Sequence, residues 1–163
     1  MTGLDAAAWM QQSVLGHVMR HSGRWTYPLV NLSHVLGVAL LFGAVVILDL
    51  RLIGAWRRTP IAPLANTAVP VAFVGFVLAA TSGLGLLATN ATEYADNPFI
   101  YVKLVAIALG LCNAAVLNLS AAWRARGVRE PSPRECRQLA WMGGASLVCW
   151  LTAVSAGRLI GYW

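Results

Sequence analysis

The chain has 163 residues, enough for one domain, and it is 58% hydrophobic and only 11% charged. Its mean hydropathy of +0.65 excludes a water-soluble globule, which needs about a quarter of its residues charged. The net charge of +6 does not indicate nucleic acid, because most of the basic residues are arginines in two short segments between apolar runs.

Residues 4–20 come first. Leu4, Ala7, Ala8, Val14, Leu15 and Val18 fall roughly on one side of a helix, with Asp5, Gln11, Gln12 and His17 elsewhere. The segment is too short and polar to cross a bilayer, and it predicts an amphipathic helix lying in the interface. No cleavable leader is expected, since the following apolar run is too long for one and no small-residue cleavage site stands behind it.

A helix needs about 20 apolar residues to span the hydrocarbon layer. Four windows qualify, at 27–50, 64–88, 98–123 and 139–163. The sequence therefore predicts an all-α membrane protein, a four-transmembrane-helix bundle preceded by the interfacial helix. Pro70 is placed near the start of the second span, where a missing N–H costs least. Glycine and alanine recur in every span and suit close helix contact in lipid. Cys112, Cys136 and Cys149 show no CxxC spacing and read as small packing residues.

The connections sort by charge. Arg51, Arg57 and Arg58 follow the first span, and Arg124, Arg126, Arg129, Arg134 and Arg137 follow the third. Between the second and third spans stand Glu93 and Asp96 with no basic residue. By the positive-inside rule the arginine segments face the cytoplasm of a bacterial-type inner membrane, and both termini face the periplasm. Trp25, Tyr27, Tyr94, Tyr101, Tyr162 and Trp163 then form an aromatic belt at the outer interface.

A charge in hydrocarbon costs several kcal/mol and needs an explanation. At about 1.5 Å per residue, His34 lies about 10 Å below the outer end of its span and Lys103 about 8 Å. Arg158 stands about one turn from the outer end of the fourth span, and Thr81 and Ser82 occupy a similar level. Each helix so offers a polar group at one height. Each also has an ordinary reading: a hydrogen-bonded packing histidine, lysine and arginine side chains reaching for headgroups, and hydroxyls bonded to their own helix.

A cofactor between the outer halves of the helices would use this layer. Helical bundles host haem in this way. His34 is the expected axial ligand, with Lys103 as second ligand or proton carrier and His21 its competitor. Arg158 would hold propionates, and Thr81 and Tyr162 would line the pocket. The implied function is a haem b-binding protein acting in electron transfer or an oxidation, with a redox partner or porphyrin-like small molecule. A homodimer with a shared site is an open arrangement. His17, His21 and His34 could instead take copper or zinc. A third reading is an accessory subunit whose polar layer sets helix register. Asp49 and Arg51 read as a boundary anchor, and Asn113 and Asn118 as bonds between helices.

The ordered set His34, Gly43, Asp49-Leu50-Arg51-Leu52, Asn97-Pro98, Lys103-Leu104, Asn113 and Gly157-Arg158-Leu159-Ile160-Gly161-Tyr162 resembles a family of small bacterial four-helix membrane proteins of unassigned function. Through His34 and Lys103 the chain also resembles the HemJ-type protoporphyrinogen oxidases, four-helix proteins in which a first-helix His and a third-helix Lys serve haem b. The third-helix Lys-Leu…Asn pattern is similar to that of the longer CopD-type copper proteins. These resemblances imply a haem or metal site at His34 and Lys103 without fixing the reaction.

Overall fold

The computed structural model describes residues 3–163, with side chains from Asp5 onward, so Leu4 as an apolar anchor falls outside the described side chains. Eight α-helices follow one another, with no strand among the described residues: α1 (Gly3–Gln12), α2 (Val14–His21), α3 (Thr26–Ile53), α4 (Ile61–Thr89), α5 (Ala91–Ala95), α6 (Pro98–Leu119), α7 (Ala121–Arg124) and α8 (Pro133–Leu159), which ends in a 3-10 turn over Ile160–Tyr162. Helices α3, α4 and α6, together with α8 and its 3-10 turn, are long and apolar enough to cross a bilayer, which makes this a multi-pass membrane protein. One end of the bundle carries the arginines; the other carries the acidic loop and both termini.

Helix boundaries differ from the expected windows where local chemistry intervenes. The first span runs on to Ile53 and stops at Gly54, whose φ of 122° few side chains could adopt. The second begins at Ile61, so Pro70 lies well inside the helix and not near its start. Its ring removes an internal hydrogen bond there, a cost that packing must offset. The third span ends at Leu119. Ser120 leaves the helix, accepts a hydrogen bond from the Trp123 amide at 3.2 Å, and starts the short α7. That break turns Trp123 inward, where it is 2% exposed. The fourth helix starts earlier than expected, because Ser132 and Glu135 form a capping box around Pro133.

The N-terminal segment is two helices, not one. Ser13 interrupts it and caps α2 by accepting from the Gly16 amide at 3.3 Å. The face turned to the protein is opposite the apolar side, which is left outward. Gly16 and Met19 are buried against the end of α4, while Val14, Leu15 and Val18 point away. Arg20 fastens the contact by donating to the Ala88 and Thr89 carbonyls at 3.4 and 3.2 Å. A cation on those last carbonyls suits the negative end of the helix. Gln11 adds a second tie, its Oε1 accepting from the Thr92 hydroxyl at 2.8 Å.

Helix α3 is the axis of the bundle. It packs along α4 on one side and α8 on another; α8 in turn packs along α6, and α4 and α6 scarcely touch. The α3–α4 approach is backbone to backbone: a Cβ on Gly37 would fall 2.6 Å from the Ala79 nitrogen, and one on Gly75 would strike Leu41. Small residues permit this contact, whose attraction is dispersion and not water exclusion. The large buried side chains gather at the arginine end: Leu48, Leu52, Leu117, Trp123 and Leu139, around Ala65, Ala68 and Ala122.

Candidate functional site

Toward the acidic-loop end the interior changes character. His34 lies one turn beyond Gly37 on α3 and is half-buried against Gly83 of α4, where a Cβ would come within 2.9 Å of the imidazole Cε1. The missing side chain makes room for the ring. His34 Nδ1 donates to the Ala79 carbonyl at 2.8 Å and lies 3.3 Å from the Ser82 hydroxyl oxygen. The Ser82 hydroxyl itself donates to the Leu78 carbonyl at 2.5 Å. A carbonyl only accepts, so Nδ1 carries the hydrogen and Nε2 of the neutral ring keeps its lone pair.

Lys103 enters from α6. Its side chain lies along Gly157 of α8, where a Cβ would be 3.3 Å from Nζ and 3.6 Å from Cδ. It is half-buried and forms no hydrogen bond or ion pair among the described residues. The two groups enter the bundle from separate helices, His34 against α4 and Lys103 against α8. A glycine opposite each provides the space they occupy.

The remaining expected site residues are placed elsewhere. Thr81 is exposed and donates to the Val77 carbonyl of its own helix at 2.8 Å, and the inward position belongs to its neighbour Ser82. Arg158 is exposed; it donates to the Tyr162 hydroxyl and stacks over that ring at 4.7 Å. Tyr162 is likewise exposed, so this pair stands at the rim and not inside. His21 is exposed, stacked on His17 at 4.2 Å, with its Nδ1 3.0 Å from the His17 carbonyl. His17, His21 and His34 are not brought together: among the described residues no group of three or more His, Cys, Asp or Glu could hold a metal ion. Cys112 and Cys136 are exposed and only Cys149 is partly buried, so the cysteines do little of the packing expected of them.

Two residues matter more than their sequence context suggested. Asp49 is no boundary anchor: it is 3% exposed, accepts a hydrogen bond from Ser146, and leaves its Oδ2 without a partner. Its backbone carbonyl sits where a Cβ on Gly143 would come within 3.0 Å, so this is where α3 and α8 meet most closely. The signal was available, since Asp49 directly follows Leu48 and precedes Leu52 on the buried stripe. Asn97 is buried at the start of α6, capping it by accepting from the Phe99 amide at 3.0 Å and donating to the Ile160 carbonyl at 3.2 Å. Asn113 bonds between helices as expected, donating to the Met142 carbonyl at 3.0 Å. Asn118 does not; it donates within its helix and accepts from the Trp123 indole at 3.1 Å.

Outside the spans, burial and then a hydrogen bond with Tyr27 hold the Tyr94 phenol above its usual range, tying α5 to the start of α3. No protein family, curated protein or solved structure matches this chain. The reading of the site therefore stands on its geometry: an imidazole fixed in one tautomer, with a free nitrogen, and, on another helix, an amine with no hydrogen bond or ion pair among the described residues.

Proposed function

We propose that this is a haem b-binding protein of a bacterial-type inner membrane, acting in electron transfer or an oxidation in the outer half of the bilayer. The orientation rests on the positive-inside rule applied to the arginines at 51–58 and 124–137, which would put both termini in the periplasm. The observation that carries the proposal is the His34 hydrogen bond to the Ala79 carbonyl. Metal-bound histidines nearly always give their other ring N–H to such an acceptor, which sets the tautomer and the ring plane.

The residues present fit the group. His34 offers Nε2 as an axial ligand, and Lys103 offers an amine with no competing partner, as second ligand or proton carrier. Haem iron, when bound, supplies one-electron redox chemistry. Gly83 and Gly157 make room for the His34 and Lys103 side chains themselves, and α4 and α6 scarcely touch. Arg158 and Tyr162, at the rim, suit propionates. A redox partner or a porphyrin-like substrate approaches from the periplasmic side, and a homodimer would share the site.

A visible spectrum tests this directly. Protein purified from membranes should show a Soret band that shifts on reduction, and folded His34→Ala protein should lose it. Absence of the band, even after haem is added, overturns the proposal. One observation favours a second reading, in which the layer only sets helix register: His34 already ties α3 to α4 through Ala79. In that case His34→Ala lowers thermal stability in detergent and no chromophore is present to lose.

A further inference from the structure

The opposite end of the bundle holds a different feature. A cavity of about 790 Å³ lies between the α3–α4 turn, the α7–α8 connection and the first turns of α8. Arg51, Arg57, Arg58, Arg126, Arg129 and Arg137 line it, against the single acid Glu130. An excess of arginines in loops needs no explanation beyond membrane orientation. Their convergence on one concavity does.

The six are not equivalent. Arg129 is paired with Glu135 at 2.6 Å. Arg51 donates to the Thr59 and Arg57 carbonyls and so shapes the turn. Arg126 is held by the Trp123 carbonyl at 2.7 Å and lies 4.2 Å over the Trp123 ring, yet its Nε is enclosed without an acceptor. Arg57, Arg58 and Arg137 engage no acceptor among the described residues. The cavity thus presents one fixed and three free guanidinium groups, with the apolar side chains of Leu52, Ile61 and Leu139 along its wall.

We propose that this cavity binds the phosphodiester headgroup of an anionic phospholipid. Guanidinium groups match phosphate oxygens in fork geometry, and basic pockets between spans are suited to acidic headgroups. The cavity stands at the helix ends, at headgroup level. Its apolar wall continues onto helices whose outer faces carry exposed Ile53 and Trp141, so acyl chains would lie against the protein. A soluble phosphate compound would use the guanidinium groups but not that wall.

The test uses the full chain in detergent, with phosphatidylglycerol, phosphatidylcholine or inorganic phosphate added and retention read by native mass spectrometry. Phosphatidylglycerol should be retained about tenfold better than phosphatidylcholine, a difference of about 1.4 kcal/mol, and Arg57→Gln/Arg137→Gln should abolish that preference. Arg124→Gln/Arg134→Gln removes the same charge outside the cavity and should keep it. Arg126→Lys, which retains the charge but not the enclosed Nε donor, should weaken retention with the fold intact by circular dichroism. Equal loss in the two double variants would reduce the effect to general surface charge and overturn the site. Displacement of the lipid by millimolar inorganic phosphate, bound in its place, would overturn the lipid assignment in favour of a free anion.

Discussion

The two halves of the bundle are built on opposite plans. At the arginine end, large apolar side chains around Trp123 and Leu139 fill the interior, and the one buried acid, Asp49, is bonded to Ser146 beside the closest α3–α8 contact. At the acidic-loop end the same helices present glycine, alanine and serine inward, with His34, Lys103 and Val30 among them and Met19 of α2 over Gly85. A half filled with Leu and Trp has its shape determined by packing. The other half is lined with small residues around two polar groups. Packing of large side chains belongs to one end and the two polar groups to the other.

Substitutions can break or sharpen that contrast. The largest effect is expected at Trp123: replacing it with Ala empties a nearly sealed site and also strands Asn118 and Arg126, so thermal unfolding in detergent should register a loss of about 3–5 kcal/mol. A loss under 1 kcal/mol would mean that the arginine end is not the stabilising half. Gly75→Leu should come next, at about 1–3 kcal/mol, because the side chain would be driven into the Leu41 backbone and the α3–α4 pair would have to separate. Crosslinking between cysteines placed on α3 and α4 would fall together with the melting temperature. Asn97→Ala removes a helix cap and the donor to Ile160, for about 1–2 kcal/mol in the same melting experiment. The smallest effect has the opposite sign. Lys103→Met removes a half-buried amine that nothing pairs, and should raise stability by about 1 kcal/mol while abolishing whatever activity the site supports. A fall in melting temperature with that variant would make Lys103 a structural residue and erase the distinction between the two ends.

Much of the architecture was legible in the residues. The four spans follow from apolar length alone, and the structure moves their ends by a few residues in most cases. Errors arose where a local hydrogen bond outranks hydropathy. Ser120 breaks the third span inside an apolar run, and Ser132 with Glu135 starts the fourth among charges; the second of these carries a recognisable capping pattern. The site was only half legible. Depth along a helix can be counted, so His34 and Lys103 could be set at one height. Direction around a helix could not, because a membrane helix is apolar on both its lipid and its protein faces and offers no contrast to read. Thr81 and Ser82 show the cost: adjacent hydroxyls at one depth, of which the sequence favoured the one that faces outward.

The clasp between α2 and the end of α4 has one further consequence. Arg20 is the side-chain donor to the last two carbonyls of α4, and Ser82 and Gly83, which cradle the imidazole, lie less than two turns inward from them. Helices fray from an end that loses its donors, and local opening spreads inward a turn at a time. Trimming the chain before Ser22, or fusing a bulky tag so that α2 lifts away, would therefore loosen the cradle of His34 from a distance, without altering any residue that touches it.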